Sequence, residues 1–175
     1  MQFLRRVGTS RVRNAHVLLF NHHKSFFTTK TFSSEELYRH ISHVKSGKES
    51  NYVAVDVRPM KEIIETFGKT IDQYVGDDAA SSIKYVHLDD ILSSEWLDQD
   101  SEDFQEAYSF PHPIDDASAE TSIVFICRGG MRSKLAAEVA LSQGVKVDLL
   151  NYAEGAAGWD EWNRRMQHKE KDEDK

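Results

Sequence analysis

Seven consecutive residues, Cys127-Arg128-Gly129-Gly130-Met131-Arg132-Ser133, place a nucleophile, two guanidinium groups and two glycines in one short span. Cys127 is the only cysteine in the 175-residue chain. Cysteine reacts as its thiolate, and an unperturbed thiol with a pKa of about 8.5 is mostly protonated at neutrality. Lowering that value by about two units takes roughly 2.7 kcal/mol of charge stabilisation. Neighbouring guanidinium groups and the N–H groups of a helix N-terminus can together supply an effect of this size. The span therefore predicts an anion site with Cys127 as nucleophile. An inert, buried cysteine is the commoner occupant of a position after an apolar strand. Two glycines where a helix should begin, and two arginines that are costly to bury unpaired, favour the reactive reading.

The flanking residues supply the elements that must hold this span. Ahead of it, Ser122-Ile123-Val124-Phe125-Ile126 is a short apolar run rich in β-branched residues, the pattern of a strand covered on both faces. Behind it, Leu135, Ala136, Val139 and Ala140 recur at helical spacing as far as Gly144, a suitable C-terminal cap. A strand that enters a helix through a glycine-containing turn aims several backbone N–H groups at one point, where the helix dipole also favours negative charge.

A cysteine and an arginine separated by four residues, in this strand–loop–helix setting, resemble the six-residue active-site loop of rhodanese-type sulfurtransferases. Three further stretches agree in order. Tyr52-Val53-Ala54-Val55-Asp56-Val57-Arg58 is similar to the family's early strand ending in Asp-Val-Arg. Residues 104–113, with Tyr108-Ser109-Phe110-Pro111, resemble the segment before the catalytic strand in small single-domain members of the thiosulfate:glutathione sulfurtransferase type. Asn151-Tyr152 followed by Gly158-Trp159-Asp160-Glu161-Trp162 resembles their closing signature. The chain departs from the family at 77–83, Asp-Asp-Ala-Ala-Ser-Ser-Ile, where a Gly-His-Ile-Pro-Gly-Ala-like stretch is usual.

The resemblance implies an α/β fold with a mostly parallel central sheet and helices on both faces. It implies a two-step sulfur transfer, from a small anionic donor such as thiosulfate to a thiol acceptor such as glutathione or a protein thiol, through a persulfide on Cys127. Arg128 and Arg132 would attract the donor, and backbone N–H groups from Arg128 to Ser133, Gly129 and Gly130 included, would hold charge on the persulfide. Met131 is expected to pack within the loop, and Ser133 to cap the helix. Asp56 and Arg58 are expected to pair and fix their loop rather than touch the reacting sulfur. No metal or organic cofactor is called for. A phosphatase related to this fold would enclose its anion in a longer loop, since only four residues separate Cys127 from Arg132 here. A persulfide carrier or docking module without turnover, and a cysteine–histidine hydrolase using His87 or His112, are the other readings.

Composition bounds these readings. The chain is 39% hydrophobic and 29% charged, ordinary for one domain with a sizeable core. One cysteine excludes an intramolecular disulfide and suits a reducing compartment. The net charge of −7 argues against nucleic acid as a partner, and no stretch approaches the ~18 apolar residues of a membrane span. Charge is unevenly spread. Arg5, Arg6, Arg11, Arg13, Lys24 and Lys30 fall within residues 1–34, which hold no acid. With Thr9, Ser10, Ser25, Thr28 and Thr29 among them, residues 1–30 read as a mitochondrial, matrix-directed transit peptide without fixed structure. Residues 31–166 read as the folded domain and 167–175 as a charged, solvated tail.

Within the domain, Ser33 and Glu36 form a capping-box pattern ahead of Leu37, Ile41 and Val44, a helical face that stops at Gly47. Residues 52–57 read as a strand ended by Pro59. Ile63, Ile64, Phe67, Ile71, Tyr74 and Val75 predict a helix, with Gly68 as its weak point, and 76–82 a loop. A strand is expected over 84–88, short helices after Ser94 and Ser101, and a strand on the alternation of Val145, Val147 and Leu149. Phe104 and Tyr108, four apart, should anchor their segment on the core, and Trp159 and Trp162 should share a helical face after a small-residue loop over 153–158. His40 and His43 fall on what reads as an exposed helix face and His22-His23 in the leader, so their spacing gives no zinc site.

Overall fold

A computed structural model describes residues 29–48, 50–67, 82–114 and 121–173. The transit-peptide reading, Gly68, Ile71, Tyr74, Val75, the loop over 76–81 and His22-His23 lie outside the described residues.

The described chain alternates strands and helices: β1 (Lys30–Phe32), α1 (Ser34–Lys45), β2 (Tyr52–Asp56), α2 (Met60–Phe67), β3 (Ile83–Tyr85), α3 (Leu88–Ser93), a 3₁₀ turn (Glu95–Leu97), α4 (Ser101–Tyr108), β4 (Ser122–Ile126), α5 (Met131–Ser142), β5 (Leu149–Tyr152) and α6 (Gly155–Glu173). The strands form one sheet, in the order β1-β5-β4-β2-β3, with every pair parallel. This is the α/β architecture expected. Alternation along β4 builds the two layers, since successive side chains of a strand point to opposite faces. Ile123, Phe125 and Cys127 face a core with Val55, Val57, Ile91, Trp96, Phe104 and the alanines of α5. Val124 and Ile126 face the other, with Phe32, Leu37, Ile41, Tyr152 and Trp159. Helices therefore cover both faces.

Several local readings hold. Ser33 N donates to Glu36 Oε2 at 2.7 Å and Glu36 N to Ser33 Oγ at 3.3 Å, completing the capping box. Gly47 (φ +70°) and Gly144 (φ +96°) follow the ends of their helices in the left-handed conformation that glycine tolerates. The Phe104 and Tyr108 rings lie 4.8 Å apart and Phe104 is fully buried. Trp159 is buried and stacks on Trp162 at 5.2 Å.

Other readings are corrected. The strand expected over 84–88 ends at Tyr85, because the His87 ring accepts a hydrogen bond from Asp89 N and caps α3. Ser101 opens α4 rather than preceding it; Asp100 is the cap, accepting from Glu102 N and Asp103 N. Val145 and Val147 precede β5, whose four residues are all buried, so alternation marked the wrong residues. The loop expected over 153–158 shrinks to a turn, since α6 begins at Gly155 and continues through Glu173. β1 had no sequence signal. His40 is 4% exposed rather than on a surface; its ring bridges Ser50 Oγ (2.7 Å) and Ser82 O (3.0 Å), and burial pushes its pKa down.

Candidate active site

Neighbouring strands β2 and β4 send the chain in opposite directions, β2 on to β3 and β4 on to β5. Such a reversal opens a crevice at the carboxyl ends of the strands, where ligands bind in open α/β sheets. Both the Asp56–Arg58 segment and the cysteine loop leave the sheet there. Val57 N still donates to Ile126 O (2.9 Å), which keeps the two exits together.

Cys127 directly follows β4 and is 1% exposed. The loop climbs away to Gly130, which stands at φ +80° as the residue before α5. A side chain there is barred twice, since a Cβ would sit 2.1 Å from Ala153 O. Gly155, at φ +61°, is equally tight, with a Cβ position 2.5 Å from the Arg128 carbonyl. These close approaches let the start of α6 clamp the loop from behind. Ala156 N donates to Cys127 O (2.8 Å) and Ala157 N to Arg128 O (3.1 Å). With those carbonyls held by α6, the loop's N–H groups are left for the sulfur.

Burial of the Cys127 thiol pushes its pKa up, but the hydrogen bonds converging on Sγ outweigh burial and hold it below the ordinary thiol range. They come from the Ser133 hydroxyl and from the backbone of Ser133, Gly129 and Arg132. Ser133 is therefore not the helix cap expected; Gly130 takes that position, and Ser133 lies fully buried three residues later, in the first turn of α5, against the sulfur. Its Oγ is 3.2 Å from Cys127 Sγ, 3.1 Å from Gly130 O and 2.7 Å from the Asn151 side-chain oxygen. One hydroxyl proton serves these three acceptors, and a thiolate is the strongest of them.

The two arginines of the loop differ. Arg128 is exposed and makes no ion pair among the described residues. Arg132, expected to draw the anion, is already engaged: Nη1 and Nη2 donate to the two Glu62 oxygens, both at 2.6 Å. That pairing holds the Glu62 carboxyl below the usual carboxylate range and raises Arg132. Met131 is 78% exposed, so it does not pack into the loop. Asp56 and Arg58 pair as expected. Arg58 is fully buried, its Nε lies 3.0 Å from both Asp56 oxygens and its Nη2 2.6 Å from Oδ2, while Arg58 N donates to Oδ1 at 2.9 Å. Burial raises the Asp56 carboxyl against the pull of that guanidinium.

Sequence reasoning missed Glu62, Asn151 as Ser133's partner, and the clamp at Gly155–Ala156. Glu62 and Arg132 stand 70 positions apart, so no local spacing links them. Of the histidines proposed as bases, His87 caps α3 and His112 packs on the Phe104 ring at 4.7 Å. Among the described residues no group of three or more His, Cys, Asp or Glu could hold a metal, and no helix is long and apolar enough to cross a membrane.

No protein-family model and no curated protein matches the chain. Solved structures do. The chain aligns with the yeast (Saccharomyces cerevisiae) single-domain sulfurtransferase RDL2 at 19% identity over 77% of this chain and 91% of RDL2, with a TM-score of 0.51. It aligns with the human single-domain sulfurtransferase TSTD1 at 26% identity over 75% and 95% of the two chains, with a TM-score of 0.49. A Rhodopseudomonas palustris protein of unknown function, described as a possible tyrosine phosphatase, aligns at 25% identity over 75% and 80%, with a TM-score of 0.44. The likeness to the yeast single-domain sulfurtransferase is therefore one of fold, a parallel α/β sheet covered by helices.

Proposed function

We propose that the protein is a sulfurtransferase that takes a sulfane sulfur from thiosulfate or a similar donor onto Cys127 and hands it to a thiol. The observation that carries this reading is a buried thiol held below its ordinary pKa by the Ser133 hydroxyl and the loop backbone. In the first step the Cys127 thiolate attacks the outer sulfur of thiosulfate. A Cys127 S–S bond forms, the donor's S–S bond breaks, and sulfite leaves with the bonding pair. The persulfide's terminal sulfur carries the negative charge, which the loop N–H groups are placed to hold. In the second step an acceptor thiolate, of glutathione or of a protein, attacks that terminal sulfur and Cys127 departs as thiolate. Arg128, exposed at the rim, attracts the donor. A nucleophile this buried suits a donor that offers a single terminal atom.

Phosphate transfer is the poorer fit. It needs a loop wide enough to enclose a phosphate, and only four residues separate Cys127 from Arg132. The acid-free, arginine-rich N-terminal segment supports a mitochondrial matrix location.

The test is intact mass after thiosulfate, with Cys127→Ser beside the native chain. A gain of one sulfur atom on the native protein alone, removed by glutathione, is expected. No gain on folded protein overturns the reading. Steady-state turnover with glutathione then distinguishes an enzyme from a persulfide carrier.

A further inference from the structure

Resting on the sulfurtransferase reading, we infer that Asn151 is a positioning residue for Cys127, whose side-chain amide turns over when the sulfur ionises and so reverses the hydrogen-bond chain Cys127–Ser133–Asn151. Asn151 is 6% exposed, and its backbone is held in β5 between Phe125 of β4 and Thr31 of β1. Only the side chain is left to move. Its oxygen lies 2.7 Å from Ser133 Oγ, the shortest of the three contacts that this hydroxyl makes. Among the described residues the amide makes no other hydrogen bond, so turning it over breaks no second one.

The hydroxyl has one proton, and the charge on the sulfur decides where it goes. While Cys127 is a thiol, its S–H can donate to Ser133 Oγ, and the Ser133 proton goes to the Asn151 oxygen. Once the thiol proton is lost to solvent, the thiolate is the stronger acceptor and takes the Ser133 proton across 3.2 Å. Two oxygens, each offering only lone pairs, then face one another at 2.7 Å. Such an unsatisfied contact is costly in a buried site. Half a turn of the amide replaces the oxygen by Nδ2, which donates to Ser133 Oγ. The chain then runs inward, from Asn151 through Ser133 to the sulfur, and each bond strengthens the next. The second step of the transfer calls on the same turn, because Cys127 departs there as a thiolate.

The charged groups around Cys127 are Arg128 and Arg132 from the loop and α5, Glu62 from α2, and Asp56 and Arg58 from the end of β2. Glu154, in the turn before α6, is bonded to Ser34. None of them bonds to the Asn151 amide, so a response that needs the Ser133 hydroxyl belongs to the chain.

The test is the NMR signal of the Asn151 side-chain amide in the isotope-labelled full chain, followed across the pH range in which alkylation of Cys127 titrates. One Nδ2 proton is expected to move downfield with the alkylation midpoint, as it gains the Ser133 oxygen. Ser133→Ala should abolish that movement while Cys127 still titrates. An amide that does not respond at the Cys127 midpoint overturns the inference. So does a response retained in folded Ser133→Ala, which would sense only charge through space. Should Ser133→Ala fail to fold, Asn151→Asp decides. Its carboxylate only accepts and fixes the chain outward, so the alkylation midpoint should rise by about one unit or more, and an unmoved midpoint overturns the inference. Failure of thiosulfate to load sulfur on Cys127 overturns the sulfurtransferase reading, a separate failure, since the amide titrates without a donor.

Discussion

Replacing Ser133 with alanine tests whether its hydroxyl, rather than the loop backbone alone, holds the Cys127 thiolate. The residue is fully buried and its Oγ is 3.2 Å from Sγ. A hydrogen bond to a charged group is worth about 1.5–3 kcal/mol, and 1.36 kcal/mol corresponds to one pKa unit, so the range for this contact is about one to two units. The lower end applies. Backbone N–H groups of Gly129, Arg132 and Ser133 remain on the sulfur after the substitution, and the proton that Ser133 offers is shared with Asn151 and Gly130. The sign is fixed, because losing a donor to the thiolate disfavours the ionised form and raises the thiol pKa. The rate of alkylation by iodoacetamide, followed against pH by intact mass, reads this directly, since Cys127 is the only cysteine. The midpoint of the profile should move up by about one unit in Ser133→Ala, with the plateau rate at high pH retained. An unmoved midpoint in folded protein would refute the reasoning and leave the backbone as sole cause.

Two substitutions test the scaffold. Gly155→Ala forces a Cβ to within 2.5 Å of the Arg128 carbonyl at φ +61° and should cost about 1–3 kcal/mol in denaturant unfolding while slowing Cys127 alkylation; Gly129, with nothing within 4 Å of its Cβ position, should accept alanine within about 0.5 kcal/mol. Asp56→Ala removes the carboxylate that pairs with the fully buried Arg58 guanidinium and should cost about 3–5 kcal/mol, seen as a lowered unfolding midpoint; a loss below about 1 kcal/mol would refute the weight given to this pair.

What the sequence could express was whatever repeats locally. The strand before Cys127 and the helix after it were legible because β4 is covered on both faces and so is apolar throughout. α5 was legible as a helix, and of the four residues that marked it Ala136 and Ala140 are buried and Val139 packs against the core. Leu135 is 42% exposed, and the buried residues are Ser133, Ala136, Ala137 and Ala140, small side chains that let the helix lie close to the sheet. β1 is three residues long and gains its meaning from Leu150, Asn151 and Tyr152, about 120 positions on. β5 lies between β1 and β4 with both faces covered, so the alternation sought at Val145 and Val147 was the wrong signature. The candidate site divides in the same way. Its heptapeptide and the Asp56–Arg58 pair are short-range, whereas Glu62, Asn151 and Gly155 act on the loop only through the fold.

The loop must meet two opposed demands, and the placement of those distant residues reconciles them. A thiol buried to 1% exposure is protected from water but loses the solvation that a thiolate needs. Backbone N–H groups can replace that solvation only if the carbonyls of the same peptides point elsewhere, and isolated carbonyls would themselves need donors. The first turn of α6 provides them, through Ala156 and Ala157, and glycine at 130 and 155 lets the two segments approach closely enough. Arg132 then stands at the second position of α5, where a free guanidinium would face the positive end of the helix dipole. Its Glu62 partner removes that conflict and sits on α2, the helix that follows Arg58. The strand–helix unit that carries Asp56, Arg58 and Glu62 therefore acts as a counter-charge for the cysteine loop. It steadies the loop without adding net positive charge, so the stability of the thiolate is set by hydrogen bonds.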